Sequence, residues 1–478
     1  MRIAQITPEI YPYCAPDRRG CNQLKGNVLA LSNSLALRGH DVFVFTPLYG
    51  IIDVQERQLK KTEYKTWVSV SGKMIEFEIY EDEIEGVKFY FFSNSDLFDR
   101  RGIYGYGNID FTCNDVRFGA FCQACLNFIN TNVPDIQIMH AHNWPAALIP
   151  VYKSCRYPDM KCETVLTVHD LSAQGIFSRF SMETLGLPWD MYTMERLEFY
   201  DNINLLKGGI VYSGAVIALN AIQAESFLMH DTGFGLDGVF RRYQHKLVSI
   251  PNGIDGNYWN PFTDCCLEQQ YSVEYIEKRK TNKEKICAKY ALDCQKPLFS
   301  AVSRYVTRDE IDVVLRTLPS IVKHDINLFL YGSGEEPYAD KLIEKQKVYD
   351  NLRVVAGGES SVFHRILASA DFIVIPYVSP SMERESRLAM RYGAIPLIRS
   401  FWKSDDTEKV SKSGAMRFKY RSLEELQATV QNAIELYYNK EEKEKYMAEI
   451  MQHDNSWEFT AKEHEELYKN LIRSAQIE

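Results

Sequence analysis

Polar side chains able to do chemistry stand where predicted strands end. His140 and His142 close one apolar run, and His169 follows the next one. Two histidines two residues apart on an extended chain share a face, which is a spacing that metal ligands use. A third ligand does not follow at suitable spacing, so the pattern favours a site without metal. His169 is either a ligand-facing residue at a strand end or a core histidine whose ring nitrogens are hydrogen-bonded within the protein.

A second group of residues has the chemistry of an anion site. Arg304 follows another apolar run and offers a planar fork for phosphate or carboxylate, or for an ion pair between domains. The segment Tyr331-Gly-Ser-Gly334 follows the next run, where glycines let backbone amides approach a diphosphate at a helix amino terminus. Loops with Gly-x-Gly also occur for turn geometry alone, so the signal is weak by itself.

The spacing of the cysteines favours free thiols over metal ligands or disulfide bonds. The 11 cysteines lack the dense, regular spacing of a disulfide scaffold. Cys122 and Cys125 form a C-x-x-C inside the apolar segment 116–129, which has the pattern of a helix. A zinc ribbon needs a second pair, and a thioredoxin-like motif opens a helix rather than lying within it. We therefore expect free, buried thiols.

Two series of alternating strands and helices must position these residues. Continuous apolar runs are typical of strands buried on both faces of a parallel sheet, and their alternation with helices predicts two doubly wound α/β domains. The first series has strand patterns at 2–7, 41–46, 136–142, 164–169, 214–220 and 246–250, helices at 27–37 and 116–129, and a hairpin-rich insertion at 60–92. The second has strands at 297–303, 326–331, 352–356 and 372–376, a helix at 309–323, and helical character from 423 onward.

Composition excludes several classes of protein. The 478 residues are 45% apolar and 25% charged, with a net charge of −9, which gives no general attraction to nucleic acid or anionic membrane. No apolar run approaches the roughly 18 residues of a membrane helix. The chain also opens without the charged leader and apolar core of a signal peptide. We expect a cytoplasmic protein with neither nucleic-acid nor membrane partners.

The motifs together resemble the family of bacterial glycogen synthases and plant starch synthases over nearly the whole chain. The clearest matches are Met139-His-Ala-His-Asn-Trp144, for the family's V-H-A-H-D-W, and Thr167-Val-His-Asp-Leu-Ser-Ala-Gln-Gly-Ile-Phe177, for T-V-H-N-L-A-Y-Q-G-x-F. Further matches follow in family order: Leu187-Pro-Trp189, Leu197-Glu-Phe199, Leu206-Lys-Gly-Gly209, Asn252-Gly-Ile-Asp255, Ala301-Val-Ser-Arg304, Leu330-Tyr-Gly-Ser-Gly334, His364-Arg365-Ile366, Arg391-Tyr-Gly393 and Ser456-Trp457.

This resemblance implies an α/β fold of the GT-B type, with two doubly wound Rossmann-like domains facing a cleft. Residues 1–255 would form an acceptor-side domain and 256–455 a nucleotide-side domain. Residues 456–478 would form a C-terminal helix that packs back on the first domain.

The resemblance also implies a reaction and its site. Members of the family transfer glucose from ADP- or UDP-glucose to the non-reducing end of an α-1,4-glucan, with retention of configuration and without metal or other cofactor. By family position, His169 belongs to the catalytic region, and Trp189 and Glu198 to acceptor-side segments. The residues matched to nucleotide-sugar binding are Arg304, Gly332, Ser333, Gly334 and Gly357.

Several reactive positions of the family are replaced in this chain. The aspartate of H-A-H-D-W is Asn143, and the lysine that neutralises the diphosphate is Asp309. Like charges about 5 Å apart cost roughly 3 kcal/mol at an effective dielectric of about 20. In the family's F-E-P-C-G-L-T-Q motif, the glutamate is Pro380 and the glycine is Glu383. The tyrosine of I-G-Y, which packs on adenine, is Gly358.

We therefore expect a synthase-like protein whose glucosyl transfer is lost or strongly reduced and whose role is glucan binding or regulation. Its partners would be an α-glucan or a nucleotide sugar, and a protein such as an active synthase. One alternative is an active retaining glucosyltransferase that elongates α-1,4-glucan from a nucleotide-glucose. Another is a scaffold protein that binds no carbohydrate.

Overall fold

A computed structural model of the protein describes residues 1–13, 22–106, 109–303, 308–332, 336–357, 360–375, 382–400, 414–419 and 422–476. The chain divides into two compact units. Unit 1 comprises Met1–Asn252 and Trp457–Glu478, and unit 2 comprises Gly253–Ser456. Among the helices within the described ranges, none is long and apolar enough to cross a membrane.

Unit 1 is an α/β structure built on one large sheet. Its strands are β1 (Arg2–Ile6), β2 (Asp41–Pro47), β3 (Lys60–Val70), β4 (Lys73–Ile84), β5 (Val87–Ser93), β6 (Gly105–Tyr106), β7 (Ile109–Asp110), β8 (Ile138–His142), β9 (Glu163–Val168), β10 (Ile176–Ser178), β11 (Glu198–Phe199), β12 (Asn202–Asn204), β13 (Ala215–Ala218) and β14 (Leu247–Ser249). Its helices up to residue 252 are α1 (Asn22–Leu37), α2 (Ser95–Phe98), α3 (Asn114–Asn132), α4 (Asn143–Ala146), α5 (Leu148–Arg156), α6 (Ser181–Thr184), α7 (Leu205–Tyr212), α8 (Ala221–Leu228) and α9 (Asp237–Arg242).

The large sheet has the order β14-β13-β9-β8-β1-β2-β5-β4-β3 in the described part of unit 1. Its pairs from β14 to β5 are parallel, so these strands end at the same edge of the sheet. The strands β1, β2, β8, β9 and β13 are almost wholly buried, as continuous apolar runs with helices on both faces require. The parallel, doubly wound architecture predicted from these runs is confirmed.

The predicted insertion at 60–92 is a pair of β-hairpins. β3 pairs with β4 and β4 with β5, both antiparallel, and β5 then joins β2 in parallel. Each hairpin turns through two residues with positive φ, Ser71-Gly72 and Glu85-Gly86. Glycine at the second position suits such turns, whose backbone twist matches that of the flanking strands.

A small sheet in the order β10-β12-β11 is attached to unit 1 and was not predicted by the sequence patterns. Its strands have only two or three residues each, too few to show a periodic pattern. Lys207, on α7, supports this region from inside. Its buried ammonium group donates to the backbone carbonyls of Met194, at 2.6 Å, and Glu198. Burial lowers the pKa of Lys207.

Unit 2 repeats the parallel α/β plan with its own apolar core. Its strands, all parallel, have the order β17-β16-β15-β18-β19-β20 within the described ranges. They are β15 (Leu298–Ser303), β16 (Asn327–Gly332), β17 (Leu352–Ala356), β18 (Phe372–Ile375), β19 (Ile395–Ser400) and β20 (Met416–Lys419). Its helices are α10 (Arg279–Lys289), α11 (Arg308–Val322), α12 (Glu336–Gln346), α13 (Ser360–Ser369), α14 (Met382–Arg391), α15 (Leu423–Tyr438) and α16 (Lys440–Met451).

The last helix, α17 (Trp457–Ala475), belongs to unit 1 and packs against α1. Its residue Tyr468 is fully buried in the unit 1 core, next to the end of β8. Glu465 on α17 accepts from the Arg38 guanidinium at 2.6 Å, which ties this helix to the end of α1.

Candidate functional site at the strand ends of unit 1

His169 lies directly after β9, at the carboxyl edge of the unit 1 sheet, and is held at three points. Its backbone N–H donates to Asn143 Oδ1 at 2.8 Å, and its backbone carbonyl accepts from Gln223 Nε2 at 3.1 Å. Its side-chain Nε2 lies 3.1 Å from Nδ1 of His142, the last residue of β8. These contacts come from two segments, the consecutive residues His142 and Asn143 and the helix that carries Gln223, so the position of the imidazole is strongly constrained.

The other ring nitrogen of His169 lies beside a small recess. His169 Nδ1 is buried and has no hydrogen-bond partner within the described structure. Beside this imidazole is a recess of about 10 Å³, room for about one water molecule. Its polar lining consists of Asn27, His142, Thr167, His169, Asn252 and His464.

Burial keeps the histidines around this recess neutral. It lowers the pKa of His169 to about 3, with a further contribution from His464. Burial likewise lowers the pKa of His464 to about 4 and holds the pKa values of His140 and His142 well below 6.5. A neutral imidazole has one donor and one acceptor nitrogen, so it can exchange hydrogen bonds with a hydroxyl group.

Asn143 has a clear local role. It is the first residue of α4 and adopts a positive φ of 58°, a conformation that asparagine tolerates better than most residues. Its side-chain oxygen accepts from the N–H groups of His169, at 2.8 Å, and Asp170, at 3.4 Å. The side chain in this chain therefore orients the backbone that carries His169.

The His140 and His142 pair is used for hydrogen bonding. His140 lies 2.7 Å from the Tyr468 hydroxyl through Nδ1 and 2.6 Å from Thr167 Oγ1 through Nε2. His142 contacts His169 through one nitrogen and Gln5 Oε1, at 2.8 Å, through the other. All four ring nitrogens have protein partners, so the pair is not arranged to share a metal ion.

Within the described ranges, a group of possible metal ligands does lie in unit 2. Asp264, Cys266 and His364 have ligand atoms within 4.8 Å of one another. The Asp264 carboxylate, however, already accepts from Tyr392 Oη at 2.5 Å, His364 Nδ1 at 2.7 Å and the Cys266 N–H at 2.9 Å. Three protein donors satisfy this carboxylate, and its role in the structure is to join three segments of unit 2.

Sequence reasoning missed a buried carboxylate at the same edge of unit 1. Glu9 follows the end of β1, is 1% exposed, and accepts from the Tyr104 hydroxyl at 3.0 Å. An acidic residue so close to a strand end was the available signal. Gln5, within β1, was also missed because its surroundings are apolar in sequence.

The acceptor candidates lie in the segment that Lys207 supports. Trp189 is 48% exposed and its ring contacts Tyr192 edge-on at 5.8 Å between centroids. Glu198, in β11, accepts from the Asp201 N–H at 3.0 Å and is half-buried. The structure thus gives Trp189 an accessible ring face and Glu198 a local turn contact.

Two further aromatic side chains are exposed near this segment. Tyr200 is 77% and Phe234 is 56% exposed. They are neighbours because Gly235 packs against the rings of Phe199 and Tyr200, while the Phe234 carbonyl accepts from Gln174 at 3.1 Å. Gln174 belongs to the loop that follows His169, so this aromatic pair is continuous with the same loop.

Part of the predicted nucleotide-sugar site can be located in unit 2. Gly332 ends β16 and Gly357 follows β17, and the Gly357 N–H donates to the Gly332 carbonyl at 2.6 Å. Gly357 has a φ of 74°, which glycine adopts without strain. Asp309 lies in the first turn of α11. Arg304, Ser333, Gly334, Gly358 and Pro380 lie outside the described residues.

The predicted thiols are confirmed. Cys122 and Cys125 lie in α3, are free, and are completely buried. Burial raises the pKa of both thiols, so neither is a reactive thiolate at neutral pH.

Comparison with solved structures identifies the fold. The catalytic domain of starch synthase IV from Arabidopsis thaliana, bound to ADP and acarbose, matches with a TM-score of 0.75 and 23% identity, covering 98% of this chain and 99% of that one. Sucrose-phosphate synthase from Thermosynechococcus elongatus matches with a TM-score of 0.56 and 13% identity, covering 99% of each chain. The protein has the α/β GT-B fold of glycosyltransferases.

Sequence comparison then identifies the family. The family model described as the starch synthase catalytic domain matches residues 2–242. A glycogen synthase from Thermodesulfovibrio yellowstonii is 31% identical over 99% of this chain and 98% of its own length. One from Aquifex aeolicus is 31% identical over 98% of this chain and 99% of its own. The chain belongs to the glycogen and starch synthase family, as its motifs predicted.

Proposed function

We propose that this protein binds α-glucan through unit 1 and that its transfer of glucose from a nucleotide sugar is lost or strongly reduced. The observation that carries the proposal is the pair of replacements at Asp309 and Pro380. An aspartate repels a diphosphate, and a proline has neither a carboxylate nor an amide hydrogen. Family positions that neutralise the donor or contact its glucose therefore lack the required groups.

The described residues of unit 1 support the glucan-binding part of the proposal. His169 is held at three points with Nδ1 available, and neutral imidazole suits a sugar hydroxyl. Trp189, Tyr200 and Phe234 present exposed aromatic rings nearby in the chain. The negative face of an aromatic ring attracts the C–H groups of a pyranose, so such rings are suited to an α-glucan.

Glucan binding is tested by electrophoresis of the full chain in gels with and without glycogen. We expect retardation by glycogen, weakened about two- to tenfold in affinity by Trp189→Ala or Tyr200→Ala. Trp67→Ala and Tyr106→Ala are matched controls, since Trp67 is 48% exposed, as is Trp189, and Tyr106 is 71% exposed on unit 1. Mobility unaffected by glycogen would remove the glucan-binding role.

Transfer is tested by incorporation of labelled glucose from ADP-glucose and UDP-glucose into glycogen, alongside calorimetry with both donors. We expect neither incorporation above a heat-inactivated control nor measurable heat of donor binding. Asp309→Lys restores the family's charge and is expected to strengthen the binding of ADP. Incorporation by the unaltered chain at the rate of an active synthase would refute the loss of transfer.

A second candidate function is active glucosyl transfer with an altered donor site. It is favoured by two relatives named glycogen synthase that match nearly their whole length. This second function predicts that the protein incorporates labelled glucose into glycogen and that Arg304→Ala reduces the incorporation. The incorporation assay therefore separates the two candidates directly.

A further inference from the structure

The structure points to two buried residues that determine which ring nitrogen of His169 carries the proton. We propose that Gln5 and His142 are positioning residues that fix His169 in the tautomer protonated at Nε2. The Nδ1 lone pair of His169 then remains free, as an acceptor beside the recess of unit 1. The inference deepens the proposed function, but it concerns a proton position and stands or falls by a separate measurement.

Gln5 lies on β1, in the middle of the unit 1 sheet. Its side-chain oxygen lies 2.8 Å from His142 Nε2, and both side chains are buried. A carbonyl oxygen only accepts, so His142 must carry its proton on Nε2. Because burial keeps His142 neutral, its Nδ1 has no proton and is an acceptor.

His142 in turn constrains the proton position of His169. Its Nε2 lies 3.1 Å from the unprotonated His142 Nδ1, so a hydrogen bond forms only if His169 donates from Nε2. His169 is also neutral, which leaves its Nδ1 without a proton. The order of donation is therefore from His169 to His142 and from His142 to Gln5.

The placement of the Gln5 amide sets this direction, because its oxygen lies at hydrogen-bond distance from His142. The Gln5 nitrogen has no hydrogen-bond partner within the described structure. The reverse order would leave a buried N–H on His169 Nδ1 unpaired, at a cost of about 1–3 kcal/mol.

The consequence is selectivity for the chemistry of the ligand. With a free lone pair at Nδ1, His169 accepts a hydrogen bond from a hydroxyl group. It offers no proton at Nδ1 to a phosphate or carboxylate oxygen. The pair Gln5 and His142 thus selects for a hydroxylated ligand at this edge.

The test is nuclear magnetic resonance of the full chain labelled with 15N in its 10 histidines. One-bond and longer-range 15N–1H correlations distinguish the two neutral tautomers, and loss of a signal set in His169→Gln assigns His169. Near neutral pH we expect His169 protonated at Nε2 and unprotonated at Nδ1. A proton on Nδ1, or averaged nitrogen shifts, would overturn the proposal.

Variants show whether Gln5 sets the tautomer or only fills space. Gln5→Met removes the acceptor at similar length, and we expect averaged shifts for His142 and His169. Gln5→Glu keeps an acceptor and should keep the original pattern. Thr167→Val is the matched control, because it removes the partner of His140 at a neighbouring buried position and should alter only His140 signals.

An unchanged His169 tautomer in folded Gln5→Met would refute the positioning role. If circular dichroism shows that Gln5→Met does not fold, the unaltered protein and Gln5→Glu decide the question. Glycogen retardation is read independently, so failure of glucan binding and failure of this proposal are distinguishable.

Discussion

The carboxyl edge of the unit 1 sheet and the carboxyl edge of the unit 2 sheet differ in how they are built. The first is made of buried, neutral side chains, which hold His169 through Asn143, Gln223 and His142. The second, where it is described, is formed by backbone at Gly332 and Gly357, with Asp309 in the first turn of α11, the helix that follows β15. One edge positions a side chain, and the other depends on glycine backbone.

This difference bears on the proposal that unit 1 keeps its ligand-facing histidine while the donor site of unit 2 is altered. A side chain held by partners from several segments is sensitive to change at each of them, because every loss leaves a buried polar group unpaired. An acidic residue in the first turn of a helix, such as Asp309 in α11, is favoured by the helix dipole. Both observations are compatible with the proposal that donor binding is weakened while His169 stays in place.

The comparison predicts that acid weakens unit 1 before unit 2. Unfolded histidine titrates near 6.5, whereas the folded pKa is about 3 for His169 and about 4 for His464. Their contribution to stability is complete above about pH 6.5 and is lost as the pH falls toward these folded values, by roughly 3–5 kcal/mol for each. In unit 2, the pKa of Asp371 is lowered below its usual 3.8 by Lys283 and Lys443 against the opposing effect of burial, so its contribution is lost only at lower pH.

This prediction is measured by urea unfolding at about pH 7.5 and about pH 5, with hydrogen exchange resolved to peptides of each unit. His464→Gln should reduce the pH dependence of unit 1. The exposed residue His245 provides the control, since His245→Gln should leave that dependence unchanged. Equal destabilisation of both units between these pH values would contradict the comparison.

The interior of unit 2 should instead be most sensitive to the loss of an ion pair. Asp371 is 3% exposed and accepts from Lys283 at 2.8 Å, Lys443 at 3.4 Å and the Leu298 N–H at 2.9 Å. Asp371→Ala leaves the buried Lys283 without its carboxylate partner, although Lys283 still donates to the Lys296 carbonyl and the Tyr437 hydroxyl. We expect a loss of about 3–5 kcal/mol in the unfolding free energy of unit 2.

The matched control is a surface ion pair of the same unit. Asp325 accepts from Lys296 at 2.6 Å, but its side chain is 76% exposed. Asp325→Ala should cost no more than about 1 kcal/mol. Similar urea midpoints for the two variants would show that Asp371 does not organise the unit 2 interior.

Asn143 offers a smaller and more local test at the edge of unit 1. Asn143→Leu removes the acceptor for the His169 N–H and places a branched side chain at positive φ, with an expected loss of about 1–3 kcal/mol. Asn143→Asp keeps an acceptor and should lose less. Asn143→Gly relieves the backbone but lacks the acceptor, so it separates the two effects in urea unfolding. Equal stability of the leucine and aspartate variants would argue against the proposed role.

Apolar runs in the sequence predict much of the fold, and the strands that they failed to predict were missed for physical reasons. β17 was predicted with its observed limits at Leu352–Ala356, although Arg353 interrupts its apolar residues, because the segment is short and contains two β-branched valines. The strands β19 and β20 were missed. β19 contains Pro396 and Arg399, and β20 has only four residues, two of them basic. Parallel pairing to neighbours, rather than local pattern, makes these segments strands.

The candidate site was predicted only in part, because its contacts are long-range. The place of His169 at a strand end follows from local sequence. The contact of His142 with Gln5 spans 137 residues, and that of His140 with Tyr468 spans 328. No local pattern encodes such pairs, so the hydrogen-bonded arrangement around the recess could be found only in the folded chain.

The smallest expected effect concerns the helix that brings His464 and Tyr468 to this arrangement. Glu465 of α17 accepts from Arg38 at the end of α1 and from Lys469. These partners, Lys469 first and Arg38 next, lower the pKa of Glu465 to about 2 despite the opposing effect of burial. Glu465→Gln should lower the unfolding free energy of unit 1 by about 0.5–1 kcal/mol, because near-surface pairs contribute little. The loss should shrink in high salt, which screens such charges. Glu466→Gln, on the exposed face of the same helix, should have no measurable effect, and a salt-independent loss in Glu465→Gln would indicate packing rather than charge as the link between α17 and α1.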